Sequence, residues 1–146
     1  MSPDHRPPRL RAGSVTIGTS QPHDLAHFYA RLLDLPVTAD DPAVPGDPIR
    51  GGWAQVKPPD GEGMTLNFEY ERYFTRPTWP STEDSQNPTQ HLDIQVDDLE
   101  AGVSWAVSLG ATLAEFQPQD DVRVLFDLDG HPFCLFVAGD GLSSTE

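Results

Sequence analysis

From Gln90 onward the chain writes out a complete structural unit, and this constrains the fold more than any other feature. Gln90-His91-Leu92-Asp93-Ile94-Gln95-Val96 alternates polar and apolar residues, as a strand with one buried face does. A helix is predicted over Asp98–Leu109, with Asp97 as its cap and Glu100 three residues on. Its stripe is Leu99, Val103, Ala106 and Val107, and Gly110 provides the left-handed stop. Strands are expected near Thr112–Phe116, Val122–Asp127 and Pro132–Val137, the last two joined across Asp129-Gly130. The alternation places His91, Asp93 and Gln95 on the face opposite Leu92, Ile94 and Val96.

The same order is legible once before. Leu10–Thr19 reads as a strand, and Pro22 opens a helix whose apolar residues Leu25, Phe28, Tyr29, Leu32 and Leu33 recur at helical spacing. Pro36 ends that helix and Asp34 takes its closing turn. After a loop over Asp40–Asp47, Gly51–Lys57 and Met64–Glu71 read as strands joined by Pro58-Pro59-Asp60-Gly61. In the second, Leu66, Phe68 and Tyr70 oppose Thr65, Asn67, Glu69 and Glu71. Two strand–helix–strand–strand–strand halves therefore succeed one another, with an Arg72–Pro88 connection carrying three prolines and an anchoring Trp79. The expected boundaries are a loose arm over 1–9, a folded domain over 10–138 and a loose tail over 139–146. Within the domain, module one covers about 10–71, the linker 72–88 and module two 89–138.

Acidic residues outnumber basic ones 23 to 9, a formal charge of −14, and Lys57 is the only lysine. That field repels nucleic acid and favours neutral or cationic small molecules. With one cysteine, Cys134, no intrachain disulfide is possible. No apolar run has the length of an export signal or a membrane span, so the expectation is a soluble cytoplasmic protein without a membrane partner.

The doubled βαβββ unit, His91-Leu92-Asp93 in the fifth strand, Val96-Asp97-Asp98-Leu99 and Leu109-Gly110-Ala111 around the second helix, and Asp127-Leu128-Asp129-Gly130-His131-Pro132-Phe133 together resemble the vicinal oxygen chelate superfamily. This group includes glyoxalase I, bleomycin-resistance proteins and extradiol dioxygenases, and the likeness is to its glyoxalase-like subgroup. The resemblance implies an α+β fold in which two consecutive βαβββ modules form a curved mixed-sheet cup. It also implies a divalent metal, Zn, Ni, Mn or Fe, held from four strands. His91 matches the fifth-strand ligand, Glu69 falls on the fourth-strand face, and Cys134 stands where the eighth strand usually offers Glu. Ser14 occupies the first-strand position and is a poor ligand, so the set is incomplete.

The resemblance further implies a concave pocket around His91, walled by Trp53, Asn67, Trp79, Asp93 and Phe136, with Phe68, Tyr70 and Tyr73 as further aromatic candidates. His91 and Glu69 are the expected catalytic pair for metal-assisted lyase or isomerase chemistry. The alternative is a metal-free drug or metabolite binder of the bleomycin-resistance type. His91 alone also fits a hydrogen-bonded pocket residue, Cys134 a small buried hydrophobe, and Glu69 an exposed strand face. His23 and His27, a turn apart on the first helix, read as solvated, His131 as turn chemistry, and Trp105 as partly exposed or part of a subunit contact. A homodimer is the default assembly.

Overall fold

The computed structural model describes residues 6–137, so His5 and the Gly139–Glu146 tail lie outside the described residues. The first module runs β1 (Ser14–Thr19), α1 (Pro22–Leu33), β2 (Val37–Asp41), β3 (Trp53–Val56) and β4 (Thr65–Tyr70). The second runs β5 (Leu92–Gln95), α2 (Leu99–Ser108), β6 (Thr112–Leu113), β7 (Val122–Phe126) and β8 (Pro132–Phe136). Each module makes a four-stranded mixed sheet of the same topology, β1-β4-β3-β2 and β5-β8-β7-β6. In each, the first strand pairs in parallel with the last, and the remaining pairs are antiparallel. The expected α+β arrangement of two βαβββ modules is thus the observed one.

Helix α1 forms because proline is tolerated in its first turn, and it ends where Asp34 adopts φ 55° and closes the turn. Its buried face, including Leu25, Phe28 and Tyr29, packs on Ile17, Ala54, Val56, Leu66 and Phe68. The same cluster continues into the second module through Leu125, Phe133, Leu135, Ala106 and Ala111. Phe133 joins the two directly, its ring 6.1 Å from Phe28 and 6.0 Å from Tyr29. One core therefore serves both modules. Its counterpart on the far side of the second sheet is smaller: Ala114, Val124 and Cys134, with Val122, Phe126 and Trp79 packed over them. The expected anchoring of the connection is present, for Trp79 meets Phe116 at 5.8 Å and Phe126 at 6.2 Å.

Several local expectations need correction. Asp98, not Asp97, caps α2, its carboxylate accepting from the Ala101 amide at 3.0 Å. The chain extends one residue further before turning than the Asp-x-x-Glu spacing implies. Asp40 and Asp41 belong to β2 and not to the following loop, because pairing with Ala54 and Trp53 overrides their weak strand propensity. The strand expected from Gln90 begins at Leu92, where pairing with Phe133 starts, so His91 sits just ahead of it. β6 covers two residues of the expected five.

Candidate functional site

Parallel pairing of β5 with β8 sets Asp93 beside Cys134, and the side-chain alternation puts both on the face away from the shared core. His91 precedes them on the same side. Its Nε2 lies 2.8 Å from Cys134 Sγ and 3.4 Å from Asp93 Oδ1. One ligand atom from each of the three residues falls within 4.8 Å of the others. Cys134 is buried, whereas His91 and Asp93 stay open to solvent, so the cluster has a closed floor and an accessible mouth. Burial and the neighbouring Asp93 carboxylate push the thiol up to about 11. A neutral thiol opposite Nε2 donates its S–H to the ring and leaves the sulfur protonated until a cation replaces that proton.

Among the described residues, the first sheet offers no comparable donors. Thr38 Oγ1 donates to Gln55 Oε1 at 2.9 Å, Gln55 Nε2 to Asn67 Oδ1 at 3.0 Å, and Asn67 Nδ2 to Ser14 Oγ at 3.0 Å. This row crosses all four strands and engages Ser14 on β1 and Asn67 on β4, but not Glu69. Glu69 is exposed beside Gly18 and Trp53 in the register, and the described residues do not bring it into the His91 cluster. Asp93, expected only as a pocket wall, is the carboxylate that joins His91 and Cys134. Its identity was legible from the strand alternation, but its approach depends on the β5–β8 register, which sequence alone leaves open.

The Asp127–His131 turn does more than reverse the chain. Asp127 Oδ1 accepts from the Asp129 and His131 amides, and its Oδ2 accepts from Tyr29 of α1 at 2.7 Å. His131 Nδ1 faces Asp127 Oδ2 at 2.9 Å, while Nε2 lies 2.9 Å from the Gly18 carbonyl, which can only accept. Both ring nitrogens therefore donate, the state of the imidazolium. Burial pulls the His131 pKa down, but the Asp127 partner and the Gly18 carbonyl outweigh it, and the net shift is upward. Asp129 accepts from Thr19 and Ser20 hydroxyls, the Ser20 amide and Gln21 Nε2. Burial works to raise its pKa, and these donors together hold it below the usual carboxylate value. The turn needs glycine at 130, where φ is 89° and the Arg76 side chain lies 2.6 Å from where a Cβ would stand.

His23 and His27 are not merely solvated: both face Asp40 on β2, and His23 Nε2 also meets the Gly51 carbonyl at 2.7 Å. Trp105 is half-exposed, with Nε1 on the Leu32 carbonyl.

Two hollows flank the Pro88-Thr89-Gln90 segment. An open one of about 440 Å³ is bounded by Trp79, Ser81, Pro88, Thr89, Gln90 and His91. A deeper one of about 400 Å³ lies between β1 and the connection, with Thr16, Gly18, Glu71, Phe74, Gln90 and His131 among its walls. Trp53, Asn67 and Phe136 line neither.

The model of a glyoxalase-like domain matches residues 14–136. Among solved structures, a mutant of the fosfomycin resistance protein FosX from Listeria monocytogenes, complexed with Mn(II) and 1S,2S-dihydroxypropylphosphonic acid, aligns over 88% of this chain and 93% of its own. Its TM-score is 0.65 at 11% identity. A glyoxalase family protein from Enterococcus faecalis aligns over 86% of this chain and 96% of its own, with TM-score 0.61 and 19% identity. A glyoxalase/bleomycin resistance protein/dioxygenase family enzyme from Burkholderia phytofirmans gives the same coverage and TM-score at 14% identity. No curated protein matches the sequence significantly.

Proposed function

The chain belongs to the glyoxalase-like domain family of the vicinal oxygen chelate superfamily, and from that premise we propose that it is a metal-assisted lyase or isomerase acting on a small organic molecule. The observation that carries this reading is the convergence of His91, Asp93 and Cys134 within 4.8 Å. One nitrogen, one carboxylate oxygen and one sulfur form a three-ligand set, which leaves a fourth position for water or substrate. A buried sulfur donor beside an imidazole suits zinc better than manganese or magnesium. When bound, such an ion supplies Lewis-acid polarisation of a ligand oxygen.

The protein's own side chains supply the rest. His91 is held by Cys134 through Nε2 and borders the open hollow, where its Nδ1–H can donate a hydrogen bond to a molecule lying against Trp79 and orient it. Cys134 closes the floor and keeps water from one side of the site. Glu69 has no part in this centre, its place as carboxylate being taken by Asp93. The lone thiol fits a reducing compartment, and a homodimer remains the proposed assembly.

A second reading is favoured by the Thr38–Gln55–Asn67–Ser14 row, which occupies the half of the cup that elsewhere in the superfamily supplies ligands. On that reading the protein sequesters a small molecule without metal. Metal analysis after purification without chelator separates the two. The enzyme reading predicts stoichiometric zinc, a rise in melting temperature on adding zinc to stripped protein, and loss of both in His91→Ala and Asp93→Asn. No bound metal, and no thermal response to Zn, Ni, Mn or Fe, leaves the binding reading.

A further inference from the structure

The deeper hollow, between β1 and the 72–90 connection, has a chemistry of its own. At about 400 Å³ it is in the range that holds a small organic molecule. Hydroxyls from Thr16, Thr75 and Thr89 and the Gln90 carboxamide are spread around its walls. Its floor is open because position 18 has no side chain, and the Glu71 side chain borders that space at ordinary contact distance, with Oε2 3.6 Å from where a Cβ would stand.

The charge balance of these walls is one-sided. Glu71 is the one carboxylate among them, and none of the described residues lining the hollow is a lysine or arginine. Arg72 and Arg76 alternate with wall residues along the connection but are not walls themselves, and Arg76 packs across Gly130. His131 does line it, yet both of its N–H groups are directed elsewhere, to Asp127 and the Gly18 carbonyl, and Asp127 balances its charge. A ligand therefore meets one uncompensated negative charge and a ring of neutral hydrogen-bonding groups. The net charge of −14 adds long-range attraction of the same sign.

We infer that this hollow is a binding site for a small organic cation rich in hydroxyl or amide groups, such as an aminated polyol, with Glu71 as the counter-charge. It lies across Pro88-Thr89-Gln90 from the His91 cluster and needs no metal, so it stands apart from the enzyme reading above.

The test is amide-resolved NMR of the intact protein in chelator, titrated with glucosamine, glucose and glucose 6-phosphate, which share a skeleton and differ in charge. Glucosamine at a pH where its amine is protonated should shift the amides of Thr16, Gly18 and Glu71 and those of Thr89 and Gln90. Glucose should bind more weakly at the same amides, and the phosphate should leave them unmoved. Glu71→Gln should weaken glucosamine roughly tenfold and leave glucose unchanged, the loss of one charge-assisted contact. Gly18→Val, which fills the floor of a strand position that tolerates a side chain, should abolish binding of both. Equal or tighter binding of the phosphate, shifts mapping away from these amides, no binding by any of the three, or an unaltered response in either variant overturns the inference. Running the titration without metal separates its failure from that of the metal centre.

Discussion

At the scale of single residues, the most consequential group outside the His91 cluster is Asp127, whose side chain is fully buried between Tyr29, His131 and two amides of its own turn. Removing one member of such a pair leaves an uncompensated buried charge, so Asp127→Ala should lose about 3–5 kcal/mol in urea unfolding. Tyr29→Phe removes one hydrogen bond to that carboxylate and should lose less, about 1.5–3 kcal/mol. The pH response is two-sided. His131 has a folded pKa above its ordinary 6.5, so its contribution is fully present below 6.5 and is lost as pH rises through the higher folded value. Asp129 has a folded pKa below 3.8, so its contribution is present above 3.8 and is lost as pH falls through the lower folded value. Melting temperature against pH should therefore fall at both ends, and His131→Gln should make the upper limb shallower, leaving the part that His23 contributes through its own raised pKa. None of this was legible from the sequence, where Asp-x-Asp-Gly-His reads as turn chemistry. The partners Tyr29, Gly18 and Thr19 are far away along the chain, and no periodicity points to them.

Elements were far easier to read than contacts, because each is fixed by local rules. The α1 proline and its apolar spacing located that helix to the residue, and the alternation of Leu66, Phe68 and Tyr70 located β4 within one residue at each end. The misses share a cause. At residues 10–13, expected in the first strand but ahead of β1, and at Asp40, Asp41, His91 and β6, the deciding factor is pairing with a neighbouring strand, which lies outside the local window. Cap assignment failed for a related reason, since Asp97 and Asp98 are chemically equivalent and only backbone geometry tells them apart. The consequence is measurable. Asp98→Ala should lower stability by about 1 kcal/mol while Asp97→Ala leaves it nearly unchanged, as chemical denaturation would show. Equal losses would mean that the cap is shared. For the site, the sequence supplied His91, Cys134 and Asp93 as separate candidates, and the β5–β8 register made a cluster of them.

Taken whole, the molecule is two similar modules held by one apolar core and by the Asp127–His131 turn, which reaches from the second module to β1 and α1 of the first. The two sheets have the same topology but different chemistry: a neutral hydrogen-bonded row on the first, and a cluster of three potential metal ligands on the second. A sequence reading by family position misses that asymmetry, since it seeks ligands from both halves: it finds Ser14 wanting on the first strand and enlists Glu69 from the fourth, in place of Asp93. The central claim is that the second module alone holds a divalent ion through His91, Asp93 and Cys134. Cobalt titration of chelator-treated protein, followed by absorption, tests it most directly, because sulfur ligation gives a charge-transfer band in the near ultraviolet that oxygen and nitrogen donors do not. The band should grow to saturation at one ion per chain, be displaced by zinc and be absent in Cys134→Ser. A spectrum indistinguishable from that of hydrated cobalt would contradict the claim.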